Sequence, residues 1–360
     1  MEFQYIEWLR ARTPVDPRVL IGPGDDCALL SPPTRPLLIT TDMLMDGTDF
    51  VVAEVGPRRV GRKAMAANLS DIAAMAGVPM AAVVSVALPG QRTVGGKETG
   101  DRKQETVGKE ETGDRKQEAA KADKSVSSLP PVSCPLSPEL SPASCLLSPD
   151  KFATELYLGL RDVADAFGVP IVGGDTNSWA GSLVISVTAL GEATERGAVR
   201  RSGAKAGDWI FVTGPLGGSI LGHHLDFTPR VWEAARLHLA APLHAMIDIS
   251  DGLAADVNHI CEESGCGAVL LADSVPISEA ARLMSDSRTP LEHALGDGED
   301  FELAFAVAAA DGDRLLRTQP VPDVTLHHVG DFVAERALTL VENNRPRPLP
   351  PTGYVHRFGS

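Results

Sequence analysis

The chain has 360 residues, 43% of them hydrophobic and 22% charged, which is enough apolar material to bury a core spread over two domains. Its formal net charge of -15 argues against a broad attraction to nucleic acid or an anionic membrane, because phosphate groups are held by lysine and arginine in excess. An anionic substrate would therefore need cations as intermediaries.

In chain order, residues 1 to 10 (MEFQYIEWLR) lack the charged-then-apolar layout of a signal peptide. No apolar run reaches the roughly 20 residues of a membrane span, so a cytoplasmic location is expected. At 22–27, GPGDDC places Asp25 and Asp26 between a glycine turn and an apolar run, with Cys27 expected as a buried core thiol. The stretch PLLITTD (36–42) predicts a strand ending at Asp42. A helix follows, with Met65, Leu69, Ile72 and Ala76 on one face, Asp71 at the edge of that stripe, and Gly77 as the stop. AAVVSVAL (81–88) predicts the next strand.

The composition then changes. VGGKETGDRKQE (94–105) is nearly repeated by VGKEETGDRKQE (107–118), and a Pro- and Ser-rich run follows. Such sequence cannot bury enough apolar surface to offset the entropy of ordering, so 91–149 is expected to be a disordered insert. Phe152, Leu156, Leu160, Val163 and Phe167 make a second helical stripe ended by Gly168, and PIVGGDT leads to Asp175. SLVISVTAL (182–190), DWIFVTG (208–214) and FELAFAV (301–307) predict strands. Asp300 and Glu302 flank Phe301 in the last of these, so one of them is expected to face solvent. AMIDISDG carries Asp248 and Asp251 to a helix with Leu253, Val257 and Ile260 inward and Gly265 at its end. Strands and helices mix without strict alternation, so the expected class is α+β. Residues 1–90 and 150–194 are expected to form the first domain and 195–360 the second, with the boundary in the polar, glycine-bearing segment 191–208.

The aspartates recur at strand ends and turns, where rigid elements present side chains to a crevice. Asp25, Asp26, Asp42, Asp71, Asp175, Asp248 and Asp251 are thus candidates for one shared site, although any one of them alone reads equally well as a turn former or cap. Like charges at about 4 Å repel by roughly 4 kcal/mol at an effective dielectric near 20, so such a cluster needs cations or raised pKa values. All-oxygen ligands select a hard ion such as Mg2+, bound together with substrate phosphates. The turns VGGDTN, TGPLGGS and ISDGL are expected to turn backbone N–H groups toward an anion, and Arg201 is a candidate phosphate fork. There is no P-loop and no protein-kinase motif set. The five cysteines form no CxxC pair, and His223, His224, His327 and His328 show no metal-ligand spacing.

GPGDDCALL, TTDMLMDG, KAMAANLSDIAAMAG, IVGGDT, RSGAKAGDWIFVTG, IDISDGL and GDGEDFEL together resemble the thiamine-monophosphate kinase family of the aminoimidazole ribonucleotide synthetase-like superfamily. The resemblance covers about 300 residues, all but the insert. It implies an N-terminal β-sheet domain that dimerises, a C-terminal α/β sandwich domain, and ATP-dependent phosphorylation of thiamine monophosphate in a homodimer with several Mg2+ ions. By the same resemblance Asp26, Thr40, Thr41, Asp42, Asp71, Asp175, Asp248 and Asp251 are expected metal ligands. Gly174, Arg201 and Ser250 are expected ATP contacts, and Asp49, Glu299 and Tyr354 border the acceptor. Asp49 stands where the family usually has histidine, and Asp297 where it has glycine. A phosphate-monoester acceptor has a second pKa of about 6 and is mostly dianionic at neutral pH, so no general base is required and direct in-line transfer is expected. The competing readings are a sister ATP-dependent enzyme of the selenophosphate synthetase kind, a two-metal phosphohydrolase, and a non-catalytic nucleotide-binding protein.

Overall fold

The computed structural model describes residues 8–23, 27–90 and 148–354. The expected insert falls outside them up to residue 147, as do Asp25 and Asp26.

Strands β1 (Val19–Ile21) and β2 (Leu29–Leu30) form a small antiparallel pair near the amino end. Strands β3 (Leu37–Met45), β4 (Val78–Pro89), β5 (Ile171–Trp179) and β6 (Val184–Glu192) make a four-stranded sheet in the order β3-β6-β4-β5. Pairing is antiparallel except between β4 and β5. Side chains alternate across β3: Leu38, Thr40, Asp42 and Leu44 turn to the covered face, whereas Ile39, 65% exposed, and Met43, 62% exposed, lie on the open one.

The covered face carries two helices, Pro57–Ala74 and Pro149–Ala166. Their backbones meet closely because glycine occupies both sides of the contact. A Cβ at Gly61 would fall 2.1 Å from the Leu156 carbonyl oxygen, and one at Gly159 would fall 1.9 Å from that of Arg58. Met65, Leu69, Ile72, Leu156 and Leu160 are buried between helices and sheet as their spacing predicts. The first helix stops earlier than expected: Ala76, not Gly77, takes the left-handed conformation at φ 53. Gly77 is needed for room, since a Cβ there would meet Leu38 Cδ1 at 2.4 Å.

The second sheet contains β7 (Asp208–Val212), β8 (Ala245–Asp248), β9 (Gly267–Leu271), β10 (Leu303–Ala308), β11 (His327–Val333), β12 (Leu338–Glu342) and β13 (Arg345–Pro348), in the order β13-β12-β9-β11-β7-β10-β8. Alternate residues of β7, β8 and β10 enter separate cores. Phe211, Met246 and Phe305 join the core that runs on into the first sheet and its helices. Ile210, Ile247 and Ala304 pack in another core with Val257 and Ile260 of the Leu253–Ser264 helix. A sheet buried on both faces with helices against it is the layered α/β arrangement expected for this half.

Two local expectations change. Cys27 is exposed, because the short β1–β2 pair carries no core for it to enter. Asp300 and Glu302 are both buried, at 2% and 3% exposure, because the strand begins only at Leu303 and the chain before it is irregular, with Glu299 at φ 64 and Phe301 at φ 50.

Candidate active site

The site lies where the Pro57–Ala74 helix meets β3 on one side and β8 on the other. Ser70 of that helix donates its hydroxyl to Asp248 Oδ2 at 2.7 Å, joining the two halves of the chain. Asn68 accepts the backbone N–H of Asp42 at 3.2 Å and donates its amide to the Ala64 carbonyl at 3.0 Å. The Thr40 hydroxyl donates to Asp71 Oδ2. Helical spacing puts Asn68 and Asp71 three residues apart on one face, and strand alternation puts Thr40 and Asp42 on the face opposite them.

Asp42, Asp71 and Asp248 thus lie near enough for their charges to act on one another. Burial pushes Asp42 up to about 7, helped by the negative charges of Asp71, Asp248 and Asp49. Burial, then Asp71, raises Asp248 to about 6, against the Ser70 hydrogen bond and the Arg201 charge. Asp71 is raised by burial, with Thr40 and Arg201 acting the other way. Arg201 is therefore the cation that this acid group sees. It lines a cavity of about 450 Å³ with Thr40 and Asp71, and Ile72, Met75 and Met246 supply the apolar walls.

The remaining turns are tied to one another by backbone hydrogen bonds. Glu299 donates its N–H to the Ser250 carbonyl at 2.7 Å, and Tyr354 donates its N–H to the Asp251 carbonyl at 3.0 Å. The Asp49 carboxylate accepts the Met45 N–H at 2.6 Å, which gives this acid a turn-closing role. Sequence reasoning missed Lys63, which is almost wholly buried. Its ammonium donates to the Asp49 carbonyl at 2.7 Å and lies 2.5 Å from Glu299 Oε1. A lysine within a run of small helix formers reads as surface, so nothing in its local spacing marks it.

Thr41, Gly174 and Asp175 lie apart from the Asp42 group within one chain. The Thr41 hydroxyl donates to the Val187 carbonyl and accepts from Thr188 on the open face, away from Asp42, because neighbours on a strand point to opposite sides. Asp175 lies inside β5 at the far edge of the sheet, in the row Met43, Ser186, Ser85, Asp175. Three strand spacings of about 4.8 Å put it some 14 Å from β3. Gly174 sits in β5 beside Val84, where a Cβ would fall 1.9 Å from the Val84 carbonyl oxygen. Asp26 lies outside the described residues.

Two glycine turns are also occupied from within. Gly217 donates to both oxygens of Asp300 at 2.9 Å, and Gly218 donates to Asp297 Oδ2 at 2.7 Å. At the helix start, Asp256 Oδ2 accepts the N–H groups of Asp251 and Gly252 at 3.1 and 3.0 Å. Burial, then Asp248 and Asp251, pushes Asp256 up to about 8. These N–H groups hold the protein's own carboxyls, which corrects the expectation that they face a ligand anion.

A family model described as AIR synthase related protein, N-terminal domain, matches residues 24–106 and 139–193, and its C-terminal counterpart matches residues 205–342. The thiamine-monophosphate kinase of Rhodopirellula baltica is 36% identical over 99% of this chain and 97% of its own length. That of Salmonella typhimurium is 30% identical over 93% of this chain and 91% of its own. Among solved structures, thiamine-monophosphate kinase from Stenotrophomonas maltophilia K279a matches with a TM-score of 0.71 and 29% identity, covering 94% of this chain and 96% of that one. A chain described as AaThiL complexed with AMPPCP and TMP shares the fold at a TM-score of 0.65 and 23% identity, covering 99% and 96%. Full-length likeness at this identity, together with the match to both family models, means that the chain belongs to the thiamine-monophosphate kinase family within the AIR synthase related proteins.

Proposed function

We propose that the chain transfers the γ-phosphate of ATP directly to thiamine monophosphate, giving thiamine diphosphate and ADP. The observation that carries this reading is the set of Asp42, Asp71 and Asp248, held together against their mutual repulsion beside the Arg201 cavity. Buried carboxyls with raised pKa values and oxygen-only donors suit divalent Mg2+, the Thr40 hydroxyl sits on Asp71, and Asp251 is assigned to complete the set. Bound there, Mg2+ supplies positive charge that offsets the repulsion between two phosphate-bearing substrates. The protein's own part is positional. Arg201 holds a phosphate by charge, Ile72, Met75 and Met246 offer an apolar surface to a base, Ser250 stands on the ATP side, and Asp49, Glu299 and Tyr354 border the acceptor. No side chain is asked to take a proton, since the acceptor is already ionised.

The test is a purified-chain assay with Mg-ATP. ADP and thiamine diphosphate forming in equal amounts only when thiamine monophosphate is present supports the kinase. Equal ADP release with and without acceptor favours a phosphohydrolase, and turnover confined to another acceptor favours a sister enzyme. Phosphate trapped on the protein during turnover refutes direct transfer.

The same reading includes a homodimer. Ile39, Met43 and Met45 form an exposed apolar row on β3, which a second copy laid face to face would cover. Thr41 and Asp175 are exposed on that same open face, Asp175 in register with Met43, so such a pairing would set these two residues of one copy against the other. Ile39→Glu is expected to convert the dimer to monomer in light scattering; an unchanged dimer mass rejects this face. No helix among the described residues is long and apolar enough to cross a membrane, and the cytoplasm is the proposed location.

A further inference from the structure

Lys63 and Glu299 form an ion pair of unequal exposure. The lysine side chain is 1% exposed and the glutamate side chain 35%, with Nζ 2.5 Å from Oε1. The same ammonium donates to the Asp49 carbonyl at 2.7 Å, so one buried cation ties the 45–50 turn to the segment before β10. Lysine is rarely buried whole, and burying it gives up the rotamer freedom of a long side chain. The glutamate is held just as firmly: its backbone sits at φ 64, fixed by its N–H bond to the Ser250 carbonyl, in a region that non-glycine residues disfavour. A staple between two surface segments needs neither a sealed cation nor a strained partner. The arrangement is closed on the cation side and open on the carboxylate side.

We propose that Lys63 is a positioning residue for the acceptor, resting on the kinase reading above. It holds the Glu299 carboxylate in one rotamer, so that the exposed side of that carboxylate receives the N–H donors of an aminopyrimidine. A carboxylate only accepts hydrogen bonds, and an amino-substituted heterocycle offers donors at its edge. A carboxylate fixed in advance loses less freedom on binding than a mobile one, so the benefit falls on acceptor affinity.

The test compares wild type, Lys63→Met and Lys63→Gln in steady-state kinetics, with thermal midpoints measured in parallel. The glutamine variant keeps an amide donor for the Asp49 carbonyl and removes only the charge. Both variants are expected to raise KM for thiamine monophosphate about tenfold or more while KM for ATP stays within about twofold. Lys63→Gln is expected to keep its thermal midpoint. A rise of both KM values together, a change in neither, or loss of the fold in both variants overturns the proposal and leaves Lys63 a structural staple. A wild-type chain that does not phosphorylate thiamine monophosphate overturns the kinase reading and this proposal together; an active wild type with an unmoved acceptor KM in the variants overturns this proposal alone.

Discussion

Asp42→Asn is expected to lower turnover by about a hundredfold or more and, in the absence of metal, to raise the thermal midpoint by several degrees. The two effects have one cause. Asp42 sits among Asp71, Asp248 and Asp49 in a pocket that raises its pKa to about 7, so at neutral pH the folded protein already resists its ionisation. The sign follows from linkage. A carboxyl whose folded pKa exceeds the unfolded 3.8 favours the fold most below that value, and the benefit is lost as pH rises toward 7. Asparagine keeps the shape and never ionises, so the metal-free variant escapes that loss. It also brings no charge to a divalent cation, so activity falls and added Mg2+ stabilises the variant less than the wild type. Turnover with saturating Mg-ATP and calorimetry with and without Mg2+ check both halves. An unchanged turnover number removes Asp42 from the site, and a midpoint several degrees lower than wild type removes the repulsion argument.

Asp42, Asp71 and Asp248 were legible in the sequence because each belongs to a motif that a short regular element positions: a strand with period two, a helix with neighbours three apart, and a strand end. The same regularity bears on Thr41. Adjacent strand residues point to opposite faces, so Thr40 and Thr41 could not both reach the Asp42 side, and the parity of TTD already contains that result. Asp175 reads as a strand end because glycines precede it, yet β5 continues to Trp179 through parallel pairing with β4, which no local pattern announces. The occupied glycine turns were hidden for a related reason: Gly217 and Gly218 give their N–H groups to Asp300 and Asp297, some eighty residues later, and only the fold makes them neighbours. Lys63 was the costliest omission. Composition places lysine outside, and what overrides that rule is a carbonyl and a carboxylate supplied by two other segments.

Arg230→Met is expected to cost about 3–5 kcal/mol in urea unfolding, because it strands a buried charge. Glu302 is 3% exposed, and Arg230 grips it with both arms, Nε to Oε2 at 2.8 Å and Nη2 to Oε1 at 2.5 Å. The Thr213 hydroxyl adds a third donor to Oε2 at 2.6 Å. With the guanidinium gone, one neutral hydroxyl remains for a carboxylate in an apolar setting, and the variant must either hold an unpaired charge or protonate it at the expense of folding free energy. Removing the whole pair is a different experiment. Arg230→Met with Glu302→Leu is expected to recover more than half of the loss, since apolar side chains of similar volume need no desolvation. A single-variant loss below about 1 kcal/mol, or a double variant no better than the single, shows that solvent reaches the pair and defeats the argument. The consequence for function runs along the chain. Glu302 anchors a segment in which Phe301, at φ 50, stacks on Phe227 with ring centroids 3.9 Å apart and Glu299 holds its strained conformation. Only a firm anchor keeps two unfavourable backbone angles in place two residues apart. Loosening it is therefore expected to raise the acceptor KM before ATP binding changes, under conditions where the variant is still folded.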